Sequence, residues 1–463
     1  MSQKLSVSIR MYRVGELGDC FYLQFKEGQT QSRVLIDCGS FRNSTASKER
    51  LQKIASHITE ELNGEKIDVV VGTHQHNDHL SGFVHAKEIF EGNIDQVWLS
   101  WLDDPKDAAA RKINKEHKKI VLGLLEVVSE SKKIGKSKQL NIATELLDFY
   151  GLLGAAPAVP AEGIKVLKEI GTKPVKYLEP GDRLILPNLN KNSVNVYVLG
   201  PPRNPDLLYD ISASSKESYD HRLQLAEAGT KQLLSAVKNK IKGIDQPEES
   251  DFPFNKTYKR ITREIDPKVR QLYNNDPSRQ IEDDWLEQAN RLAIYMDTYT
   301  NNSSLVLAFE LVQSGKVLLF VGDAQTGNWL SWKEIKWKGK NAKFSINQLL
   351  ENTVLYKVGH HGSHNASLVE AIEKMCHPEL VAMIPVDRTD GHITKQNGWR
   401  MPAKNLLNKL KEKTNNRVMV MDKNGFEDDC QPTKGKGKSG WKMVEGKPKV
   451  DNTNNYVEYT IYT

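Results

Sequence analysis

The segment Ile67-Asp68-Val69-Val70-Val71-Gly72-Thr73-His74-Gln75-His76-Asn77-Asp78-His79 decides how the rest of the chain is read. Residues 67–71 are β-branched apart from Asp68, the composition of a strand buried on both faces inside a sheet. The chain then leaves the strand into His74-x-His76-x-Asp78-His79. A strand end is rigid, so the side chains just past it are held in place. His74 and His76 are two apart and point the same way if that stretch is extended. Asp78 and His79 follow as the chain turns into a helix, which aims them elsewhere. One short loop thus offers ligands to two metal ions, and imidazole with carboxylate suits Zn²⁺, Mn²⁺ or Fe. The chain has only 12 histidines, and three of them fall within these six residues.

Two later segments repeat the arrangement of an apolar strand ending in a ligand. Val317-Leu318-Leu319-Phe320-Val321-Gly322-Asp323 closes on a carboxylate that can bridge two metals. Val354-Leu355-Tyr356-Lys357-Val358-Gly359-His360-His361-Gly362-Ser363-His364 closes on histidines.

Around these segments the chain alternates strands and helices. Residues 5–12, 20–25 and 33–37 read as strands, and 47–62 as a helix, by their apolar periodicity. A further helix is expected over 80–90 and a strand over 97–101. Residues 102–170 read as mostly helical. Strands return at 177–187, 193–199, 304–312 and 316–321. Helices are expected at 329–332, 346–350, 368–375 and 403–413, and strands at 354–358, 380–385 and 417–421. Residues 456–462 read as an edge strand. Two sheets covered by helices fit this pattern. The expected organisation is one domain over 1–425, with helical insertions at about 102–170 and 201–300. A basic loop and the edge strand would occupy 426–463.

Composition narrows the class. The chain is 38% hydrophobic and 27% charged over 463 residues, the balance of a soluble protein. No apolar run is long enough to cross a bilayer, so no membrane association is expected. The first thirteen residues carry no apolar stretch of signal type. Cys20, Cys38, Cys376 and Cys430 lack metal-site spacing and read as reduced thiols, which points to the cytoplasm. The net charge of +6 is mild for this size. Basic clusters at 111–119, 333–343 and 434–442 read first as solvated surface, and otherwise as a track for phosphates.

The order HxHxDH, then Gly-Asp, then His-His-Gly-Ser resembles the metallo-β-lactamase superfamily. Within it, the chain resembles the soluble metallohydrolase domain of the ComEC/Rec2 DNA-uptake family. The similarity extends to Gly15-Glu16-Leu17-Gly18-Asp19-Cys20, to Leu35-Ile36-Asp37-Cys38-Gly39 and to Asn301-Asn302-Ser303-Ser304-Leu305-Val306-Leu307. It covers about 5–100 and 177–425, without that family's membrane channel. The resemblance implies an α+β fold, an αββα four-layer sandwich, with two divalent metal ions (Zn²⁺ or Mn²⁺). It implies that His74 and His76 hold the first metal, that Asp78 and His79 hold the second, and that Asp323 bridges them. His360 or His361 would complete the second site, with His360 preferred. Asp19 and Asp37 would fix loops or orient ligands, and Asn302, Ser303 and Ser363 would line the site. The chain departs from the superfamily pattern in one respect. Many members carry a further histidine between HxHxDH and the bridging Asp, and only His85, His117 and His221 lie there, none in a recognisable context.

The implied activity is metal-dependent hydrolysis, with a metal-bridging hydroxide as nucleophile. Asp78 or Asp323 would orient it, and His361 or His364 would donate to a phosphate oxygen or the leaving group. The favoured reaction is phosphodiester cleavage in DNA or RNA, with a role as a bacterial antiviral defence effector and a protein partner as extensions. The alternatives are hydrolysis of a small phosphoester, cyclic nucleotide or lactone, and a partner-activated or inactive binding module.

Overall fold

The computed structural model describes residues 4–15, 17–133, 140–149, 159–209, 264–275, 284–338, 345–394, 399–422, 424–427, 430–432, 440–451 and 455–463. Among the described residues, fifteen strands form two sheets. In chain order they are β1 (Leu5–Tyr12), β2 (Phe21–Glu27), β3 (Thr30–Ile36), β4 (Ile67–Val71), β5 (Ile94–Ser100), β6 (Lys176–Leu178), β7 (Arg183–Ile185) and β8 (Val194–Gly200). They continue with β9 (Val306–Leu311), β10 (Lys316–Phe320), β11 (Thr353–Lys357), β12 (Val381–Ile384), β13 (Val418–Val420), β14 (Lys447–Val450) and β15 (Tyr456–Tyr462). The first sheet runs β14-β15-β1-β2-β3-β4-β5-β6 and the second β13-β12-β11-β10-β9-β8-β7.

The sheets stack because each presents a continuous apolar face. Phe21 meets Phe320 edge-on at 5.6 Å between ring centroids, and Phe25 meets Phe309 at 5.7 Å. One core cluster joins residues of both sheets with Leu51, Ile54 and Ile58 of helix α1 (Thr45–Glu60). Helix α2 (Asn77–His85) and the helix Val159–Ile170 also feed that core, through Leu80, Phe83, Ile164 and Leu167. The result is the expected mixed sandwich, sheets inside and helices outside.

Strand polarity places the chemistry. β3, β4 and β5 are mutually parallel, as are β10, β11 and β12. Parallel neighbours bring their C-terminal ends to one edge, where loops carry function without disturbing the core. β4 is buried along its whole length. Its one polar residue, Asp68, accepts from the Arg33 amide at 2.7 Å and from Asn188 Nδ2 at 2.5 Å.

The tail differs from the expectation. β15 is not at the edge. It pairs with β1 on one side and β14 on the other. β14 has the sequence Lys-Pro-Lys-Val, which carries no strand signal. Its Pro448 is tolerated there because an outermost strand can leave one side unpaired. The tail strand is therefore part of the first sheet.

The chain divides into two compact units: 1–111 with 149–216 and 298–463, and 112–148 with 217–297. In the second, the helix Ala108–Lys133 buries Ile120, Leu124 and Val127. The Ala143 amide donates to Asn290 Oδ1 at 3.1 Å. Most of the expected insertion at 201–300 lies outside the described residues. Among the described residues, no helix is long and apolar enough to cross a membrane.

Truncation before Tyr456 tests the tail's role. It removes the buried Tyr456, Val457, Tyr459 and Ile461 and bares β1. At roughly 1.5–3 kcal/mol for each large apolar side chain, the loss rivals a whole domain's stability. Calorimetry should show no cooperative unfolding in the truncated chain. A transition near that of the full chain would contradict this packing.

Candidate metal centre

Five strand-end segments build the site. Past β4, His74 and His76 lie side by side, His74 Nε2 3.1 Å from His76 Nδ1. His76 is the residue before α2, and Asp78 and His79 occupy its first turn. A carboxylate there faces the positive end of the helix dipole. All four side chains are buried. Asp323 follows β10, His361 follows β11, Asp19 precedes β2 and Asp37 follows β3.

These segments converge. One ligand atom from each of Asp19, His79, Asp323 and His361 lies within 4.8 Å of the others. His79 Nε2 and His361 Nε2 are each 3.2 Å from Asp323 Oδ2. His361 Nε2 is also 2.8 Å from Asp78 Oδ2. Behind the rings sit acceptors that fix their orientation. Asp37 Oδ2 lies 2.7 Å from His79 Nδ1, and the Pro385 carbonyl lies 2.9 Å from His361 Nδ1. With Nδ1 held as the donor to these acceptors, each Nε2 is the atom turned to the cluster's carboxylates, the nitrogen a metal would bind on displacing its proton. Asp37 is fixed in turn by Thr73, whose amide and hydroxyl donate at 2.8 and 2.6 Å.

The local backbone is strained to achieve this. Asp37, His360 and His361 all have φ between 42° and 55°. Left-handed geometry costs a non-glycine residue roughly 1–2 kcal/mol, and such strain gathers at functional sites. The turn at His360-His361 swings the second ring inward. Gly39 is required for a different reason. A Cβ there would lie 2.4 Å from the Asp78 carbonyl carbon and from the His79 amide nitrogen.

The electrostatics follow from burial. Asp19, Asp37, Asp78 and Asp323 are all at most 1% exposed, and carboxylates cannot be buried without compensation. Lys357, buried in β11, supplies one cation. Its ammonium pairs with Asp19 and with Asp323 Oδ1 at 3.3 Å, and donates to the Gly322 carbonyl at 2.8 Å. Burial works against charge on His79 and His361, but Asp323 and the neighbouring carboxylates outweigh it. The His79 pKa rises well above its ordinary value, and that of His361 to about 10. Burial pushes Asp78 up, yet His79 and His361 more than reverse this and bring it to about 2. His74 and His76, buried beside other imidazoles, are pushed down, His76 to about 4. Burial likewise lowers His360 to about 4.

The donor set fits divalent metal. Asp19 Oδ1, Asp78 Oδ1 and His79 Nε2 are buried and lack a hydrogen-bond partner, an arrangement that is costly unless something else meets them. Imidazole nitrogens and carboxylate oxygens are the ligands that Zn²⁺ and Mn²⁺ take. The protons on His79 and His361 hold the place of cationic charge that a metal would bring.

Among the expected site residues, the structure brings some into the cluster and leaves others outside it. His361, not the preferred His360, faces Asp78 and Asp323. His360 is half-buried, with Nδ1 2.8 Å from Ser363 Oγ and its amide on Asp323 Oδ1 at 3.1 Å. Asp19 enters the cluster itself. Asn302 does not. Its Oδ1 accepts from the amides of Gln325 and Asn328. Ser303 donates to the Thr300 carbonyl, and His364 is exposed. His85 lies on α2 beside Asn43, and His117 on the helix Ala108–Lys133. His221 lies outside the described residues. Three groups escaped the sequence reading. Ser304 Oγ accepts from the Asp323 amide at 3.0 Å and lies 3.3 Å from His74 Nδ1. Thr73 anchors Asp37. Lys357 had a visible signal, a lysine inside an otherwise apolar strand.

Residues 14–94 match the family model of the metallo-β-lactamase superfamily. The match includes Asp19, Asp37 and the whole of 74–79, and stops before Asp323 and His361, which the fold brings to them. No curated protein matches the chain. The superfamily implies hydrolase chemistry in general, and the buried Asp and His cluster is a possible metal site.

Two measurements on metal-stripped protein check the charge balance. Lys357→Met leaves Asp19 and Asp323 buried without their ammonium. Breaking a buried pair this way costs about 3–5 kcal/mol, which urea denaturation should read. A loss under about 1 kcal/mol would contradict the pairing. The His361 pKa, at about 10 against roughly 6.5 unfolded, sets the pH dependence. Its stabilisation is complete below about pH 6.5 and is lost as pH rises through 10. Tm in chelator should therefore fall from pH 7 to pH 10, and a flat Tm would count against the imidazolium–carboxylate contacts.

Proposed function

We propose that the chain is a metal-dependent phosphodiesterase that cleaves DNA or RNA. The observation that carries the reading is the convergence of Asp19, His79, Asp323 and His361 at the strand ends, with His74, His76 and Asp78 beside them. The substrate class is supported by the resemblance of the three strand-end motifs to the hydrolase domain of the ComEC/Rec2 DNA-uptake family.

In this reading His74 and His76 would hold one metal ion and Asp78, His79 and His361 a second, and Asp323 would serve both. Bound divalent metal acidifies water near neutral pH and neutralises charge building on a substrate oxygen. The protein's own groups do the rest. Asp37 and the Pro385 carbonyl keep the His79 and His361 rings from turning. Lys357 takes Asp323 Oδ1, which leaves Oδ2 facing His79 and His361. Asp78 stays ionised at any working pH and can orient a water through Oδ1. His360 is neutral near pH 7, and its half-buried ring is available to hydrogen-bond a phosphate oxygen. No serine or cysteine nucleophile is required.

Labelled single-stranded DNA, double-stranded DNA and RNA, offered to metal-stripped protein with Mn²⁺, Zn²⁺ or Mg²⁺, provide the test. Metal-dependent cleavage is expected, with a loss of at least about 10³-fold in Asp78→Asn/His79→Ala, the scale of removing transition-state electrostatics. Cleavage undiminished in the double variant would sink the mechanism. Turnover of a small phosphoester with every nucleic acid left intact would sink the substrate assignment.

A further inference from the structure

His79 and His361 each have an acceptor behind Nδ1, Asp37 for one and the Pro385 carbonyl for the other. His74 stands against two hydroxyls instead. Thr73 Oγ1 is 3.1 Å from its Nδ1, and Ser304 Oγ is 3.3 Å away. The Thr73 proton goes to Asp37 Oδ2 at 2.6 Å, so that hydroxyl can only accept from the ring. Through Asp37, Thr73 also belongs to the support of His79. Ser304 serves a different pair. Its Oγ accepts from the Asp323 amide at 3.0 Å and faces His74.

The fold wedges this serine between two loops. Thr73 and His74 leave β4 of the first sheet, and Gly322 and Asp323 leave β10 of the second. Ser304 precedes β9 by two residues and is fully buried. The Leu305 amide donates to the Thr73 carbonyl at 2.9 Å, and Asn328 Nδ2 donates to the Ser304 carbonyl at 2.9 Å. The turn is therefore pinned on both sides. Its fit against β10 is tight. A Cβ on Gly322 would lie 3.0 Å from Ser304 Cβ and Oγ and 3.1 Å from Thr73 Cβ. The glycine of the Gly-Asp pair leaves the room in which Ser304 reaches both His74 and Asp323.

Asp323 does not depend on this serine alone. Its Oδ1 is held by Lys357 at 3.3 Å and by the His360 amide at 3.1 Å. Without the Ser304 hydroxyl the Asp323 side chain keeps both anchors, whereas His74 Nδ1 keeps only Thr73.

We propose that Ser304 is a positioning residue for the metal assigned to His74 and His76. Its oxygen backs His74 Nδ1 and so presents Nε2 beside His76 Nδ1, 3.1 Å away, without acting on His79 or His361. A metal-binding imidazole carries its proton on the nitrogen turned away from the ion, and loss of the partner there costs roughly 10–100-fold in affinity. The proposal rests on the two-metal reading above.

Co²⁺ titration of the metal-stripped full chain, followed by visible absorption and calorimetry, provides the test. The parent is compared with Ser304→Ala, Ser303→Ala and His74→Ala. His74→Ala marks which binding step belongs to the first site. Ser304→Ala should weaken that step by about tenfold or more and leave the other unchanged. Ser303→Ala, which removes a hydroxyl bonded to the Thr300 carbonyl, should match the parent. Added to His74→Ala, Ser304→Ala should change the remaining step no further, because it acts through that ring. A serine that only fills space and meets the Asp323 amide would leave both steps as in the parent, or lower both alike together with the stability of the stripped protein. Either result overturns the proposal. If Ser304→Ala does not fold, Ser304→Cys takes its place with the same expectation, since it keeps the shape with a weakly hydrogen-bonding sulfur. A parent with no step that His74→Ala removes would overturn the two-metal reading itself. That outcome is distinct from an intact His74 step that is indifferent to Ser304.

Discussion

Four carboxylates buried together at the ends of strands are the constraint on which the rest of the structure depends. Asp19, Asp37, Asp78 and Asp323 come from segments far apart in sequence, and the fold gathers them where water cannot solvate them. Such an arrangement persists only if cations are supplied at fixed positions. Lys357 supplies one permanently. The imidazoles of His79 and His361 supply others as protons, and can exchange those protons for metal. The strain at Asp37, His360 and His361 is the geometric counterpart of the same demand, because only a reversed turn carries the second histidine inward.

The sandwich architecture answers that demand. Parallel strands within each sheet bring β3 and β4, and β10 and β11, to one edge, while the antiparallel β1–β2 loop delivers Asp19 to the same place. Ring packing between Phe21, Phe309 and Phe320 locks the sheets together behind the site. The cluster's side chains therefore sit on rigid ends rather than on long loops. Hydrogen bonds with Thr73, the Pro385 carbonyl and Ser304 fix Asp37, His361 and Asp323 in place around the cluster.

Much of this was legible in the sequence. The β-branched run of 67–71 announced a buried strand, and the spacing of His74, His76, Asp78 and His79 announced a site at its end. Gly-Asp and His-His-Gly after two further apolar strands pointed to the partners. The sequence could not decide between His360 and His361, because adjacent residues differ only in the turn that aims them, and that turn is left-handed against ordinary preference. Asp19 read as a loop carboxylate because, besides His79, it meets Asp323, Lys357 and His361, all more than 300 positions away. Lys357 was passed over as part of a strand, although a lysine among Val354, Leu355, Tyr356 and Val358 signals a buried charge needing partners. β14 was invisible, since two lysines and a proline do not read as a strand, and without it β15 appeared to be the edge.

The most direct test of the account is metal binding by the stripped protein, read by calorimetric titration with Mn²⁺ and Zn²⁺ and by elemental analysis of the loaded form. The account predicts tight divalent binding with release of protons near pH 7, because metal displaces them from His79 and His361, and loss of that binding in His361→Ala and Asp323→Asn but not in His364→Ala. Absence of binding in the parent protein, or binding unaltered by both cluster substitutions, would contradict the claim that these buried carboxylates and imidazoles form a metal centre.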